Sequence, residues 1–273
     1  MVEPRRGPLP LAVQLYTFRD PARFGGAGLG LDVLTLDAIA AAGFLGVETV
    51  EVPGGDVVEA RRLLADLGLA VTSSHTWADL ADPAAFARAA AAIAELGSPR
   101  VVVTPRVVAT LDGVSALVDQ VGAVAEVASS HGLRLTYHNH DTEMTEVDGT
   151  LVIDRLAAAL GDAVDFQVDI FWVVVGGAEP ASVIGRLGER VVSLHVKDGI
   201  DLPRSAYTDD PFVNVPVGTG VVDPGPAIAA AEAQGSVEWL IVEFDHVDGS
   251  AITATRQSLA NLTTRGLARS RST

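Results

Sequence analysis

The sequence contains no cysteine. This absence excludes disulfide bridges, thiolate metal ligands and a thiol nucleophile. It is typical of proteins in a reducing compartment, so we expect the protein to be cytoplasmic. Histidine is also scarce, with six among 273 residues, which disfavours any site that needs many imidazole ligands.

Long apolar runs are missing as well. Runs such as Ile170–Val175 are far shorter than the roughly 20 residues of a membrane-spanning helix. Residues 1–10 contain two arginines but no apolar run, and we therefore expect no secretory signal. The net charge of −16 disfavours polyanionic partners, so we expect the protein to bind neither nucleic acid nor an acidic membrane surface.

Apolar residues make up 48% of the chain, which is typical of a globular protein. Short apolar runs alternate with longer alanine-rich segments. The apolar runs predict strands at residues 11–16, 47–52, 70–74, 100–104, 133–138, 164–169, 191–196 and 239–244. The segments between them predict helices at residues 31–42, 56–67, 82–96, 112–131, 150–160, 180–187, 224–234 and 250–267.

Eight predicted strands thus alternate strictly with eight predicted helices. Such alternation predicts a parallel sheet covered by helices, and eight units in about 260 residues are typical of a closed (β/α)₈ barrel. An open, doubly wound sheet is the alternative. No linker or change of composition divides the chain, so we expect one barrel domain over residues 1–273, with a short flexible tail from about residue 268.

The sequence YHNHDTE at residues 137–143 is the densest group of side chains that bind metals or move protons. Alternate side chains of a strand face opposite sides of a sheet. In the fifth predicted strand Tyr137 therefore faces the helices, and His138 faces the barrel axis.

The same alternation places Asp169, His195 and Glu243 on the axis, each at the C-terminal end of its strand. The active sites of (β/α)₈ barrels are built at this end. Each residue alone is commonly structural or solvated, but two carboxylates and an imidazole that converge without partners would be costly to bury. A divalent cation explains them together, with either Glu143 or His138 as a further ligand. Oxygen and nitrogen ligands without sulfur suit Mn²⁺, Mg²⁺, Co²⁺ or Zn²⁺.

The connection at residues 198–220 is longer than most loops in compact domains. Loops that follow barrel strands lie on the catalytic face. We therefore expect this segment to be either a substrate lid or a surface excursion.

Several short motifs together resemble the xylose-isomerase-like superfamily of sugar isomerases and epimerases, within a sugar phosphate isomerase/epimerase subgroup that has an HNHD motif. The resemblance extends over about residues 11–265. The motifs are QLYTFRD at 14–20, YHNHDTE at 137–143, DIFW at 169–172, HVKD at 195–198, VGTGVVD at 217–223 and IVEFD at 241–245.

The resemblance implies a (β/α)₈ barrel with one divalent metal, often Mn²⁺, held by Glu, Asp, His and Glu from strands five to eight. Asp169, His195 and Glu243 match three of these positions. The first Glu does not match, because His138 stands at its usual place. We assign Glu143 as the fourth ligand, with His138 as the alternative. Mn²⁺ is the expected ion, and Mg²⁺, Co²⁺ and Zn²⁺ are alternatives.

The implied activity is isomerisation or epimerisation of a sugar or keto-sugar by proton abstraction through an enediolate. The residues expected to take part in catalysis are Glu243 or Glu143 as base, His138 or His140 in proton transfer, and Lys197 as a partner of a sugar oxygen. The residues expected to bind substrate are Gln14, Tyr16, His75 and Trp172.

Other outcomes on the same site stay open at this point. The same chemistry can end in dehydration of a keto-sugar or inositol-type substrate, or in elimination from a 3-keto-glycoside. A barrel that binds a sugar without converting it is a further alternative, and the sequence also leaves a homo-oligomer open. The endonuclease branch of the superfamily is disfavoured, because it needs several zinc ions, many histidines and a surface that tolerates DNA.

Overall fold

The computed structural model describes residues 7–19, 33–51, 56–208 and 212–271. Eight parallel strands close into a barrel in which each strand pairs with the next and the last pairs with the first, so the predicted (β/α)₈ fold is confirmed. The strands are β1 (Leu11–Gln14), β2 (Gly46–Val50), β3 (Ala70–His75), β4 (Arg100–Val103), β5 (Arg134–His138), β6 (Val164–Asp169), β7 (Val191–Val196) and β8 (Trp239–Val242).

Helices cover the outside of the barrel. Within the described residues none is both long and apolar enough to cross a membrane. The helices are α1 (Val33–Ala42), α2 (Val57–Asp66), α3 (Pro83–Leu96), α4 (Leu111–Ser130), α5 (Val152–Leu160), α6 (Ile170–Val175), α7 (Pro180–Leu187), α8 (Gly225–Gln234) and α9 (Ala251–Thr264).

Two local elements differ from the predictions. The first strand ends at Gln14 rather than at residue 16, because the Gln14 side chain accepts the backbone N–H of Tyr16 and starts a 3₁₀ turn. Helix α6 was not predicted, since its six residues are all apolar and show no helical alternation of polar and apolar positions. It begins where the Asp169 carboxylate accepts two backbone N–H groups, which is a regular N-cap.

Smaller differences concern element ends. A two-stranded hairpin, Glu146–Val147 with Thr150–Leu151, precedes α5 and delays its start to Val152. The predicted start of the first helix at residues 31 and 32, and the predicted end of the second strand at residue 52, lie outside the described residues.

The segment that was expected to be flexible from about residue 268 is tied to the N-terminal end of the barrel. The backbone of Arg269 exchanges hydrogen bonds with Leu9 and Leu11, and the N–H of Arg271 donates to the carbonyl of Gly43. These bonds anchor the chain as far as Arg271, and residues 272 and 273 lie outside the description.

The barrel has an apolar shell and a polar interior. Large side chains such as Phe86, Tyr137 and Phe166 are fully buried between the strands and the helices. Inside the barrel, by contrast, the buried side chains toward the C-terminal end include Glu48 and Gln167. Buried polar groups are costly unless they have partners, so these interior residues must form a connected network.

The long connection after β7 is organised by one carboxylate. Asp198 is fully buried and accepts the backbone N–H groups of Gly199, Gly218, Gly220 and Val222 at 2.8–3.0 Å. A Cβ on Gly220 would lie 2.2 Å from the Gly199 carbonyl oxygen and 2.4 Å from Asp198 Oδ1. The position therefore requires glycine, and the base of this long connection is a fixed structure.

Replacement of Asp198 by Asn tests this role. An amide can accept only part of the four hydrogen bonds and places its own donors against backbone N–H groups. We expect Asp198→Asn to lower the free energy of unfolding by about 2–4 kcal/mol in urea titrations. Asp201→Asn, at an exposed position of the same loop, is the control and should change it by less than about 0.5 kcal/mol. Equal stabilities of the two variants would refute the role assigned to Asp198.

Candidate metal centre and substrate cavity

Three of the predicted metal ligands converge at the C-terminal end of the barrel. Asp169 ends β6, His195 lies opposite it on β7, and Glu243 follows β8 directly. One ligand atom from each lies within 4.8 Å of the other two, and all three residues are buried. We call these three residues the metal centre.

One oxygen of the metal centre makes no hydrogen bond, although the ammonium of Lys197 lies 3.0 Å from it. Asp169 Oδ1 accepts the N–H groups of Phe171 and Trp172, whereas Oδ2 is buried and accepts no hydrogen bond. His195 Nδ1 lies 3.9 Å from this oxygen and 2.7 Å from Glu243 Oε2. A buried carboxylate oxygen that faces a second carboxylate and an imidazole belongs to a donor set that suits a divalent cation.

Lys197 supplies positive charge next to the metal centre. Its Nζ lies 3.0 Å from Asp169 Oδ2, 2.8 Å from Glu243 Oε2 and 3.0 Å from Asp245 Oδ2. Burial opposes the charge of Lys197, but the three carboxylates outweigh it and raise the pKa of the ammonium well above its usual value. Lys197 is therefore a permanent cation. Asp245, its third partner, was not among the predicted site residues.

Glu48 on β2 is a second site residue that the sequence reasoning missed. It is fully buried, and its Oε2 lies 2.5 Å from His195 Nε2 and 3.2 Å from His75 Nε2. Burial alone would raise the pKa of Glu48, but His75 and His195 outweigh it and hold the pKa well below its usual value. The available signal was a charged residue in the middle of a predicted buried strand.

Gln167 on β6 links Glu48 to two imidazoles. Its Oε1 lies 2.9 Å from His138 Nδ1 and 3.0 Å from His75 Nε2. Its Nε2 donates to Glu48 Oε1 at 2.7 Å and to Ser193 Oγ at 3.1 Å. The imidazoles of His138 and His75 are thereby held beside the metal centre.

Glu143 is not brought into the metal centre. Its carboxylate accepts the Tyr137 hydroxyl at 2.6 Å, the His140 N–H at 3.0 Å and the Thr142 hydroxyl at 3.2 Å. In the described part of the chain the ligand atoms of His75, His138 and His195 form a second cluster, and Glu143 belongs to neither cluster. The reason is local: Tyr137 faces the outer side of the barrel, and the 3₁₀ turn after β5 folds Glu143 back onto it. His138 Nε2, by contrast, lies 3.7 Å from Asp169 Oδ2.

A cavity of about 180 Å³ opens above the metal centre. Its lining includes most of the side chains that the sequence suggested for substrate binding and proton transfer. The lining residues are Gln14, Tyr16, Val50, His75, Trp77, Thr104, His138, His140, Lys197, Glu243 and Asp245.

The aromatic side chains at the cavity differ in part from the predicted ones. Trp172 is buried and packs against His140 and Phe212, with ring centroids 5.6 and 5.7 Å apart, so it lies behind the cavity wall. Trp77, which was not predicted, is 53% exposed and meets the edge of Tyr16 at 6.2 Å. Tyr16 and Trp77 therefore form the aromatic rim.

His140 is a neutral residue of the cavity wall. Burial and the charge of Lys197 lower the pKa of His140 to about 4. Its Nδ1 lies 3.2 Å from the Thr104 hydroxyl and 3.1 Å from the Tyr207 hydroxyl, which belongs to the long loop after β7. At neutral pH the ring can offer hydrogen bonds to a ligand but carries no imidazolium proton.

The charge balance around Lys197 can be tested with Lys197→Met. Loss of the ammonium leaves three carboxylates without their cation, so we expect the free energy of unfolding to fall by about 3–5 kcal/mol. Added Zn²⁺ should raise the melting temperature more in this variant than in the unmodified protein, because the ion then supplies the missing charge. Arg62→Met, which removes an exposed ion pair with Asp66, is the control. An unchanged stability of Lys197→Met would contradict this account.

Comparisons with known proteins agree with this architecture. Residues 36–265 match the family described as xylose isomerase-like TIM barrel, whereas none of the curated proteins matches the sequence. A sugar phosphate isomerase/epimerase from Parabacteroides distasonis has 19% sequence identity and a TM-score of 0.76, with 98% of each chain covered.

Two further solved structures are similar at lower identity. An IolI protein with a bound zinc atom has 15% identity and a TM-score of 0.74, over 95% of this chain and 98% of that one. D-psicose 3-epimerase, in the presence of D-fructose, has 14% identity and a TM-score of 0.70, over 95% of this chain and 100% of that one. At these identities the likeness shows a shared fold. The match over residues 36–265 shows more: this chain belongs to the xylose isomerase-like TIM barrel family.

Proposed function

We propose that the protein is a divalent-metal-dependent isomerase or epimerase that acts on a sugar or keto-sugar by proton abstraction through an enediolate. The observation that carries the proposal is the convergence of three buried residues, Asp169, His195 and Glu243, whose ligand atoms lie within 4.8 Å of one another beside a polar cavity. The names of the structural neighbours, a sugar phosphate isomerase/epimerase and D-psicose 3-epimerase, support the same chemistry.

Asp169, His195 and Glu243 are the residues that would hold the ion, with Mn²⁺ expected from the family resemblance and Mg²⁺, Co²⁺ or Zn²⁺ as alternatives. When bound, a divalent ion stabilises the negative charge that develops on neighbouring sugar oxygens as a C–H proton leaves. The remaining steps belong to side chains of the cavity.

Glu243 is the best placed base. Burial alone would raise its pKa, but Lys197 and His195 outweigh burial and hold the pKa of Glu243 well below its usual value. The carboxylate is therefore ionised at neutral pH and faces the cavity. Lys197, held between three carboxylates, is placed to donate a hydrogen bond to a sugar oxygen and to balance the charge of the carboxylates.

The size of the cavity favours a small substrate. Its volume of about 180 Å³ is below the roughly 300–1,000 Å³ of pockets that take drug-sized ligands, so a monosaccharide is the proposed size class. Among the described lining residues, one cation, Lys197, stands against two carboxylates, Glu243 and Asp245. A bound divalent ion would add two positive charges beside these groups, and Tyr16 and Trp77 offer apolar faces to a sugar ring.

Solvent proton exchange tests the proposal directly. The protein is incubated in D₂O with Mn²⁺ or Zn²⁺ and a panel of ketoses and 3-keto-glycosides, and NMR follows deuterium entry next to the carbonyl group. We expect exchange with at least one substrate. Glu243→Gln should lower its rate by about 10²–10⁴-fold, the usual contribution of a general base.

Glu146→Gln changes an exposed carboxylate and serves as the control, with an unchanged exchange rate. The 3-keto-glycosides also report whether the enediolate ends in elimination. Absence of exchange and turnover with the whole panel, together with a melting temperature that rises on sugar addition, would favour a sugar-binding barrel without catalysis.

A further inference from the structure

In the hydrogen-bond network below the metal centre, the donor and the acceptor of each bond can be assigned. Ser73 donates its hydroxyl to Glu48 Oε1, and Gln167 Nε2 lies 2.7 Å from the same oxygen. A carboxylate can only accept hydrogen bonds. The amide nitrogen of Gln167 must therefore face Glu48, and its carbonyl oxygen must face the imidazoles of His138 and His75.

This direction determines which nitrogen of His138 carries the proton. Gln167 Oε1 is an acceptor, so His138 Nδ1, 2.9 Å away, must be the donor. In a neutral imidazole only one nitrogen carries a proton. The lone pair of His138 is therefore on Nε2, which lies 3.7 Å from Oδ2 of Asp169.

The same network orients His195. Its Nε2 lies 2.5 Å from Glu48 Oε2 and must donate, because the carboxylate can only accept. Nδ1 donates in the same way to Glu243 Oε2 at 2.7 Å and lies 3.9 Å from Asp169 Oδ2. Since Nε2 is held by Glu48, Nδ1 is the nitrogen that would exchange its proton for an ion. Partners of this kind behind an imidazole fix its ring and its tautomer in metal sites.

We infer that His138, through Nε2, is the fourth metal ligand, and that Glu48 and Gln167 are positioning residues that direct one nitrogen of each imidazole at the ion. This inference rests on the proposed metal centre and makes it a site of two imidazoles and two carboxylates. Glu143 has no place in it, because its carboxylate is occupied by the Tyr137 hydroxyl, the His140 N–H and the Thr142 hydroxyl.

The ligand set has a consequence for the choice of ion. An imidazole in place of a third carboxylate removes one negative charge and adds a softer donor. Imidazole suits Zn²⁺ and Co²⁺, whereas carboxylates suit Mg²⁺ and Mn²⁺. The adjacent ammonium of Lys197 adds further positive charge at the carboxylates. Sites of nitrogen and oxygen ligands generally bind Zn²⁺ and Co²⁺ more tightly than Mn²⁺, the ion expected from the resemblance. The second imidazole should widen this difference, which should narrow again in His138→Gln.

X-ray absorption spectroscopy of the zinc-loaded protein tests the ligand set without any assay of activity. Outer-shell scattering counts the imidazoles bound to the ion. We expect two in the unmodified protein and one in His138→Gln. A count of one in the unmodified protein overturns the inference while the metal-dependent function stands, and absence of zinc binding overturns both. Because the unmodified protein alone decides the matter, poor folding of a variant does not obstruct the test.

Chelator competition gives the matching affinities. We expect Zn²⁺ and Co²⁺ to bind at least tenfold more tightly than Mn²⁺. Glu48→Gln should weaken Zn²⁺ binding by about 10–100-fold, as loss of an outer partner does in other metal sites. Glu143→Gln is the matched control, since it also turns a fully buried carboxylate into an amide, and its affinity should change by less than threefold. A loss of zinc in Glu143→Gln with intact binding in Glu48→Gln would overturn the inference.

The tautomer itself can be observed. Long-range ¹H–¹⁵N correlation spectra of the metal-free protein should show His138 protonated at Nδ1. In Glu48→Gln the amide of Gln167 loses its fixed direction, so the same spectrum should show a mixture of tautomers. Protonation of His138 at Nε2 in the unmodified protein would overturn the assigned role of Gln167.

Discussion

The barrel interior depends on one pairing, the contact of the buried Glu48 carboxylate with the His195 imidazole. Both side chains are fully buried, and an unpaired charge at this depth would be strongly destabilising. The Glu48 carboxylate also accepts hydrogen bonds from the side chains of Gln14, Ser73 and Gln167. Because each of these bonds has a fixed direction, the requirement to satisfy one carboxylate sets the orientation of the imidazoles beside the metal centre.

At the C-terminal end of the barrel, buried carboxylates are stabilised by a buried ammonium group. Asp169, Glu243 and Asp245 share the ammonium of Lys197. Burial alone would raise the pKa of Glu243, but Lys197 and His195 hold it well below its usual value. A divalent ion bound by Asp169 and Glu243 would share their oxygens with Lys197. This arrangement supports chemistry in which charge develops on a substrate oxygen.

The sequence predicted those features that depend on local repetition. Alternation of apolar runs and helical segments predicted the barrel, and the two-residue period of strands predicted that Asp169, His195 and Glu243 face the axis. The role of Glu48 was not predicted because its partner His195 is 147 residues away in the sequence. Local sequence patterns do not determine which residues of distant strands come into contact.

The positions of Glu143 and Trp172 differ from the predicted ones for a common physical reason. The two-residue period ends with the strand, so it carried no information about Glu143, which a 3₁₀ turn folds back onto Tyr137. Trp172 follows Asp169 within a helix whose side chains are all apolar, and packing placed it behind His140 instead of in the cavity. Tertiary packing, rather than local preference, decided both positions.

Anomalous diffraction from crystals grown with Zn²⁺ tests the central claim, that a divalent ion binds between Asp169, His195 and Glu243. The account predicts one strong peak at about 2.0–2.2 Å from carboxylate oxygens of Asp169 and Glu243 and from Nδ1 of His195. Density without a peak at this place, with Lys197 Nζ alone between the carboxylates, would contradict it.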